Sequence, residues 1–360
     1  MGMRLLLVSA LLLPALATAE PLRLALAGLT HGHAAGFLRA AQGKDVVIAG
    51  IYDPDPALHK SYATRFKLDP AIFYTGLNVM LDTVKPEAVA AFSSTFDHPV
   101  IVEAAARRRL PVMMEKPLAV SMEHARRIQR AAQQSGIPVI VNYETTWYRS
   151  HAAIWKTLKS DSSFGPIRKM VAMDGHEGPR EIGVGPEFFH WLTDPVKNGA
   201  GALYDFGCYG ANLMTWLMDN QRPRAVTAIT RQFKPSIYPK VDDEANVLVD
   251  YNGAIGIIEG SWNWPYSRKD LEVYAQKGYA IATGGNTLRL RRPADKSEQT
   301  PALDPLPADE SDPVAYLTAV ARGRLKPSGL SSLENNLIVT EILEAARDSA
   351  KTGRTIRLKP

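Results

Sequence analysis

Apolar residues in the first part of the chain come in short unbroken runs. Leu22 to Ala27, Val46 to Tyr52, Ala88 to Phe92, Val112 to Met114 and Pro138 to Val141 are such runs, and continuous runs of this length mark strands buried on both faces. Amphipathic stretches separate them, at Ala34 to Ala41 and Ala57 to Phe66. A further one opens at Ser121, carries Met122, Ala125, Ile128 and Ala132 on one stripe and closes at Gly136. A cap residue, helical spacing and a closing glycine mark a surface helix. Strand followed by helix, repeated, predicts an α/β domain with a doubly wound parallel sheet, over residues 20–142.

Beyond that point the period changes. Alternating or β-branched stretches at Ala225 to Phe233, Ala245 to Tyr251, Ala254 to Trp262, Leu271 to Ala282 and Thr287 to Arg291 follow one another with Gly or Pro between them. This is the pattern of an open, mainly antiparallel sheet, and Asn252-Gly253 is a two-residue hairpin signal. Helical patterns flank it at Ala200 to Met218, Pro313 to Ala321 and Leu333 to Ala350, while Pro293 to Pro313 reads as a surface loop. Residues 143–360 are therefore expected to form a second α/β domain.

The chain's 360 residues give room for two domains of roughly 100–200 residues each. With 46% hydrophobic and 22% charged residues, disorder and a disulfide-dense scaffold are excluded. The net charge of +5 comes from 42 basic and 37 acidic side chains spread along the chain, too diffuse for a nucleic-acid partner. The first residues differ from the rest. Arg4, the apolar run Leu5 to Leu13 and the small residues Ala17-Thr18-Ala19 make a cleavable signal peptide over residues 1–19. The alternative, a membrane anchor, is opposed by length, since a spanning helix needs roughly 20 apolar residues. The only cysteine is Cys208, so neither an intrachain disulfide nor a lipid-anchored amino terminus is available. A soluble, exported, periplasmic protein is expected.

Candidate chemistry collects where the parallel strands end. Gly28-Leu29-Thr30-His31-Gly32-His33 follows the first run, where a dinucleotide fold carries its Gly-x-Gly-x-x-Gly turn. Only the first glycine position is kept; Thr30 and His33 replace the others, and an ordinary strand-to-helix turn stays open as the alternative. Asp53 ends the second run, placed to accept hydrogen bonds from an adenosine ribose and to repel a 2′-phosphate, which favours NAD over NADP. It could also simply form the turn before Pro54. Ser93, Ser94 and His98 follow the Ala88 to Phe92 run, and Glu115-Lys116-Pro117 follows the next, at the edge where open parallel sheets bind ligands.

Around Glu115-Lys116-Pro117 the sequence resembles the Gfo/Idh/MocA oxidoreductases, the glucose-fructose oxidoreductase and inositol dehydrogenase family. Its lead-in matches His98 to Ala106, its glycine-rich segment resembles Gly199 to Tyr209, and its closing helix and strand resemble Ser332 to Leu358. The resemblance covers almost all of the mature chain. It implies a Rossmann domain followed by an α/β domain on an open antiparallel sheet, with bound NAD(P) and sugars or polyols as substrates. It also implies a homodimer or homotetramer through that sheet.

Carried over by the resemblance, Lys116 contacts the reacting hydroxyl and the nicotinamide ribose, Tyr209 is the general acid/base, and Asp205 holds or polarises the sugar. A nearby ammonium is expected to lower the Tyr209 phenol from about 10 toward working pH. The structural alternatives are a packed helix residue for Tyr209 and a helix cap for Asp205. Tyr143, Trp147, His176 and Glu177 are expected to line the substrate side. His176, Glu177 and His190 match no strong zinc pattern, and no metal is expected. Trp262 and Trp264 read as sheet-face or interface residues. Export implies a tightly held cofactor, because free NAD is scarce outside the cytoplasm. Two further readings stay open: a glycoside hydrolase that oxidises its sugar transiently, and a sugar-binding protein without turnover.

Overall fold

A computed structural model describes residues 20–359; the proposed signal peptide lies outside the described residues. Six strands form the first sheet: β1 (Leu22–Ala27), β2 (Val46–Tyr52), β3 (Phe73–Tyr74), β4 (Ala88–Ala91), β5 (Val112–Glu115) and β6 (Val139–Asn142). Their order is β3-β2-β1-β4-β5-β6, and every neighbouring pair is parallel. The order reverses between β1 and β4, which opens the crevice where such sheets bind ligands. All four residues of β4, β5 and β6 are buried, as their unbroken apolar runs require. The short β3 has no apolar run of its own and was not legible in the pattern.

The second sheet holds β7 (Ile167–Gly175), β8 (Ala225–Arg231), β9 (Glu244–Tyr251), β10 (Ala254–Ser261), β11 (Arg268–Ala275), β12 (Tyr279–Thr283), β13 (Thr287–Arg291) and β14 (Ile356–Arg357). They lie in the order β13-β12-β11-β7-β10-β9-β8-β14. Pairing is antiparallel except between β7 and β10, which run parallel. Asn252-Gly253 does join β9 to β10, with Ala254 opposite Tyr251. The expected single strand Leu271 to Ala282 is instead a hairpin, β11 and β12, turning at Gln276 to Gly278. Gly278 permits this because a Cβ there would lie 2.5 Å from the Arg291 carbonyl oxygen. The expected helix Ala200 to Met218 is likewise two, Ala202–Asp205 and Gly207–Leu217, broken at Phe206.

That break matters for the site, because it brings Asp205 and Tyr209 to the same side of the sheet as Lys116. The second helix lies against β7 and β10 so closely that a Cβ on Gly210 would approach Ile258 Cγ2 to 2.7 Å. A Cβ on Gly260 of β10 would meet the Gly207 nitrogen at 2.8 Å. The two glycines set the depth at which Tyr209 sits.

The domain boundary is crossed again by the C-terminal part. In the helix Pro313–Ala321, Val314, Leu317 and Val320 join the apolar core that includes Leu24, Leu26 and Phe37 of the first domain. From the helix Leu333–Thr352, Arg347 donates to the Val120 carbonyl at 3.0 Å, and Glu344 accepts the Met122 amide at 3.2 Å.

Candidate active site

A cleft of about 430 Å³ is bordered by residues that include Tyr62, Arg65, Lys116, Asp205 and Tyr209. A larger groove of about 540 Å³, beside Trp155 and Trp216, lies elsewhere; the chemistry rather than the volume singles out the cleft.

Lys116 leaves the carboxyl end of β5 and is 5% exposed, as is Asp205. Its Nζ donates to Asp205 Oδ1 at 2.5 Å and to the Asp205 carbonyl at 2.8 Å. The other carboxylate oxygen, Oδ2, accepts the indole N–H of the fully buried Trp262 at 2.9 Å. Burial alone would push Lys116 down, but the Asp205 carboxylate outweighs it and holds the lysine above its ordinary value. Burial would raise Asp205, and Lys116 reverses that and holds it low. Both groups are charged, each because of the other. Asp205 is thus neither a plain cap nor free, and Trp262, read as a sheet-face residue, is what orients it. Nothing in the local sequence around Trp262 signals this role, since the partner lies 57 positions away.

Tyr209 is 1% exposed and sits with Lys116 Nζ 5.0 Å and Lys269 Nζ 5.2 Å from its ring centroid. The expected lowering of its phenol does not occur. Burial, with Glu144, Cys208, Asp205 and Glu115 adding to it, pushes the phenol well above its ordinary value. The two ammonium groups are already answered by carboxylates: Lys116 by Asp205, and Lys269 by Glu144 at 2.7 Å. Tyr209 is therefore a neutral phenol, a proton donor. Lys269, on β11, lines the cleft beside it and was not anticipated.

The expected substrate residues separate. His176 lines the cleft, its Nδ1 accepting the Gly178 amide at 2.9 Å. Burial lowers it despite the opposing pull of Asp205, so the ring is neutral. Tyr143 is fully buried and meets Tyr209 edge-on at 5.5 Å; it supports the phenol from behind. Trp147 lies outside the cleft, donating to Asn142 Oδ1 at 3.0 Å and packing on Tyr316. Glu177 offers its carbonyl to Lys234 at 2.6 Å and is not among the residues bordering the cleft.

At the turn after β1, Gly28 has φ +96°, and a Cβ there would lie 2.7 Å from the Ser93 nitrogen. Glycine is required here by the fold itself. Asp53 is 1% exposed, its carboxylate accepting the amides of Leu29 at 2.8 Å and Asp55 at 2.9 Å. The His31 amide is donated to the Phe92 carbonyl at 2.9 Å and the His33 amide to His31 Nδ1 at 3.1 Å. Over the turn lies the helix Pro186–Leu192. Its Phe188 meets the His31 ring at 4.7 Å, and its Trp191 indole donates to the Thr30 carbonyl at 3.4 Å. Ser93 and Ser94 bond locally, to the Ser94 carbonyl at 3.0 Å and to Asp97 at 2.5 Å. His98 is buried against the Leu118 carbonyl at 3.1 Å. Glu115, 1% exposed, accepts from Asn142 at 2.7 Å and from His33 at 3.0 Å.

A dinucleotide fits this arrangement along the cleft. The residues bordering it include Gly32 and His33 at a helix amino terminus, Arg39 and Arg65 in the last turns of their helices, and Lys116 and Tyr209, so it offers a helix start and guanidinium charge to phosphates. Residues 22–143 match the oxidoreductase family with an NAD-binding Rossmann fold, and residues 153–281 match the GFO/IDH/MocA C-terminal domain. The chain belongs to the Gfo/Idh/MocA oxidoreductases. It is 26% identical to the inositol 2-dehydrogenase of Acidothermus cellulolyticus over 96% of this chain and 97% of that one. Over 87% of this chain and 90% of the relative, it is 24% identical to the D-apiose dehydrogenase of Rhizobium rhizogenes. The fold is shared with an inositol dehydrogenase homologue from Azotobacter vinelandii in complex with NAD+, at a TM-score of 0.81 and 19% identity, over 95% of this chain and 98% of that one. As a Gfo/Idh/MocA member the protein is an oxidoreductase that acts on CH–OH groups.

Proposed function

We propose that the protein is an exported, NAD-dependent oxidoreductase that interconverts a secondary hydroxyl and a ketone on a sugar or polyol. The observation that carries this reading is the buried Lys116–Asp205 ion pair at the cleft floor beside the neutral Tyr209 phenol. Bound nicotinamide would supply the hydride acceptor or donor. Lys116, kept charged by Asp205, stabilises the negative charge that grows on the reacting oxygen. In carbonyl reduction, Tyr209 gives its proton to that oxygen. Alcohol oxidation retraces this path, the hydroxyl proton returning to the Tyr209 oxygen. Burial around all three groups excludes water and strengthens each interaction.

His33, Glu115 and Lys116 would hold the nicotinamide half, and Asp53 the ribose, which favours NAD over NADP. The curated inositol and apiose dehydrogenases, both polyol or sugar enzymes by name, support the substrate class. On the uncovered face of the second sheet, Ile229, Leu248 and Ile255 are 58%, 50% and 52% exposed, an apolar surface suited to a homodimer or homotetramer.

The first test is to purify the mature protein, denature it and identify released nucleotide by absorbance and mass spectrometry. Near-stoichiometric NAD or NADH is expected, followed by turnover in a screen of sugars and polyols. A protein that arrives empty and binds neither added NAD nor NADP sinks the proposal. A mature amino terminus at Glu20 in the periplasmic fraction is the outcome expected of export.

A further inference from the structure

The groove of about 540 Å³ beside Trp155 and Trp216 has no bordering residue in common with the cleft, and its size falls within the roughly 300–1,000 Å³ of small-molecule sites. Four aromatic side chains from four elements meet in it. Trp147 ends the short turn Glu144–Trp147, Trp155 lies on the helix Arg149–Ser160, Trp216 on the helix Gly207–Leu217 and Tyr316 on the helix Pro313–Ala321. The Trp155 and Trp216 rings are parallel to within 7° with their centroids 5.6 Å apart, and Trp147 tilts against Tyr316 at 5.6 Å. Each stacked indole covers only one face of the other, and Trp155 is 38% exposed, so the fold leaves aromatic surface open to the groove.

We propose that this groove is a second ligand site, which binds a neutral oligosaccharide by its sugar-ring faces. The polar groups around the aromatics are those that recognise hydroxyls. The chain reverses at Asp219 and Asn220, at φ +54° and +58°, a conformation that Asp and Asn tolerate better than most side chains, and both border the groove. Lys159 holds the Asp219 carboxylate through Oδ2, which leaves Oδ1 to accept. Asn335 donates to Asn220 Oδ1 at 3.2 Å, which leaves the Asn220 amide nitrogen to donate. Glu310 adds an exposed carboxylate, and the buried Thr146 hydroxyl has no hydrogen-bond partner among the described residues. Donors and acceptors beside aromatic rings match a sugar, whose C–H face is apolar and whose edge is a belt of hydroxyls. Among the described residues no lysine or arginine borders the groove, so a phosphorylated or acidic ligand would meet carboxylates without a counter-charge. None of Lys116, Asp205 and Tyr209 reaches it, so the groove holds its ligand without chemistry.

The inference goes beyond the proposed redox reaction and is tested without it. The mature protein, with whatever nucleotide it carries, is titrated by calorimetry with maltopentaose, cellopentaose, laminaripentaose and xylopentaose. Saturable binding of at least one is expected. Trp155→Ala is expected to weaken it by about 10-fold or more, and Asp219→Asn and Glu310→Gln by about 10-fold each. Phe233→Ala, at an exposed ring outside the groove, is expected to bind as the parent does. Circular dichroism checks that each variant folds, and Glu310→Gln, at an exposed position, carries the test if Trp155→Ala does not. Turnover of small sugars should be unchanged in both, which separates loss of the groove from general damage. A parent protein that binds none of the four sugars overturns the proposal, as does a folded Trp155→Ala protein that binds them all like the parent. Saturation by tetramethylammonium and by no sugar would overturn it too, since aromatic rings with carboxylates also hold quaternary cations. Binding lost in Trp155→Ala from a protein that turns over no sugar at all would still support the groove.

Discussion

The two walls of the cleft are built on opposite terms. The wall formed by Lys116, Asp205, Trp262 and Tyr209 is a set of charged and polar groups that answer one another from different elements, and its reactive atoms border the cavity. The wall formed by the turn after β1 satisfies itself locally. Asp53 takes the Leu29 and Asp55 amides, His31 takes the His33 amide, and Phe188 and Trp191 cover the turn. The first wall stays chemically active because its partners are distant in sequence and fixed by packing. The second holds its shape through these contacts, with His31, Gly32 and His33 bordering the cleft.

The largest effects of substitution belong to the first wall. Asp205→Asn leaves the Lys116 ammonium buried without its counter-charge, which costs about 3–5 kcal/mol of stability and lowers turnover by about 10³-fold. Denaturant unfolding and steady-state kinetics read the two. The same pair sets a pH window. Asp205 is held below its ordinary 3.8, so its stabilisation is present above that value and is lost as pH falls through the lowered one. Lys116 is held above its ordinary 10.5, so its contribution is full below that value and is lost as pH rises through the raised one. The stability of the wild type should be flat between these limits and fall at both ends. In Asp205→Asn burial alone holds Lys116 below its ordinary value, so the variant should regain stability as pH rises through that lowered value; a variant whose stability stays flat there would show that another group carries the charge.

Next comes Tyr209→Phe, expected to lower turnover by about 10²-fold or more with nucleotide still bound; unchanged turnover removes Tyr209 from the chemistry. Trp262→Phe removes the 2.9 Å hydrogen bond to Asp205 along with one ring of the buried indole. A bond to a charged group contributes about 1.5–3 kcal/mol, so a loss of roughly 10- to 100-fold in kcat with little change in KM is expected. An equal loss in KM would make Trp262 a substrate contact instead of a positioning residue.

Much of the first wall was legible in the chain. Glu115-Lys116-Pro117 was readable at a strand end, whereas Asp205 and Tyr209 four positions on were picked out through the family resemblance of Gly199 to Tyr209. What could not be read is which groups neutralise which. The tyrosine phenol was expected to fall beside an ammonium, yet both nearby ammoniums are paired with carboxylates, Asp205 and Glu144, brought in from other elements. The roles of Trp262 and Lys269 and the His33–Glu115 contact were missed for the same reason, since each depends on residues far apart in sequence. The fold errors have a related cause. The hairpin at Gly278 hides inside one continuous β-favouring stretch, and the break at Phe206 lies within a run that helical spacing reads as unbroken.

The smallest effect tests the second wall. Asp53 is expected to choose NAD by accepting the ribose hydroxyls and repelling a 2′-phosphate, yet its oxygens already accept two backbone amides, and Arg39 and Arg65 line the same cleft. With the carboxylate engaged by the turn, its repulsion acts at partial strength and the guanidiniums partly offset it. Asp53→Asn keeps the acceptor oxygen for one amide and removes the charge. It should therefore raise NADP affinity relative to NAD by only about 10-fold, or roughly 1.4 kcal/mol, measured by titrating the two nucleotides against intrinsic tryptophan fluorescence. A shift of several hundred-fold would mean that the carboxylate meets the ribose directly, and that the cover of Phe188 and Trp191 opens fully when nucleotide binds. No shift at all would make Asp53 a turn-former and hand cofactor choice to Arg39 and Arg65.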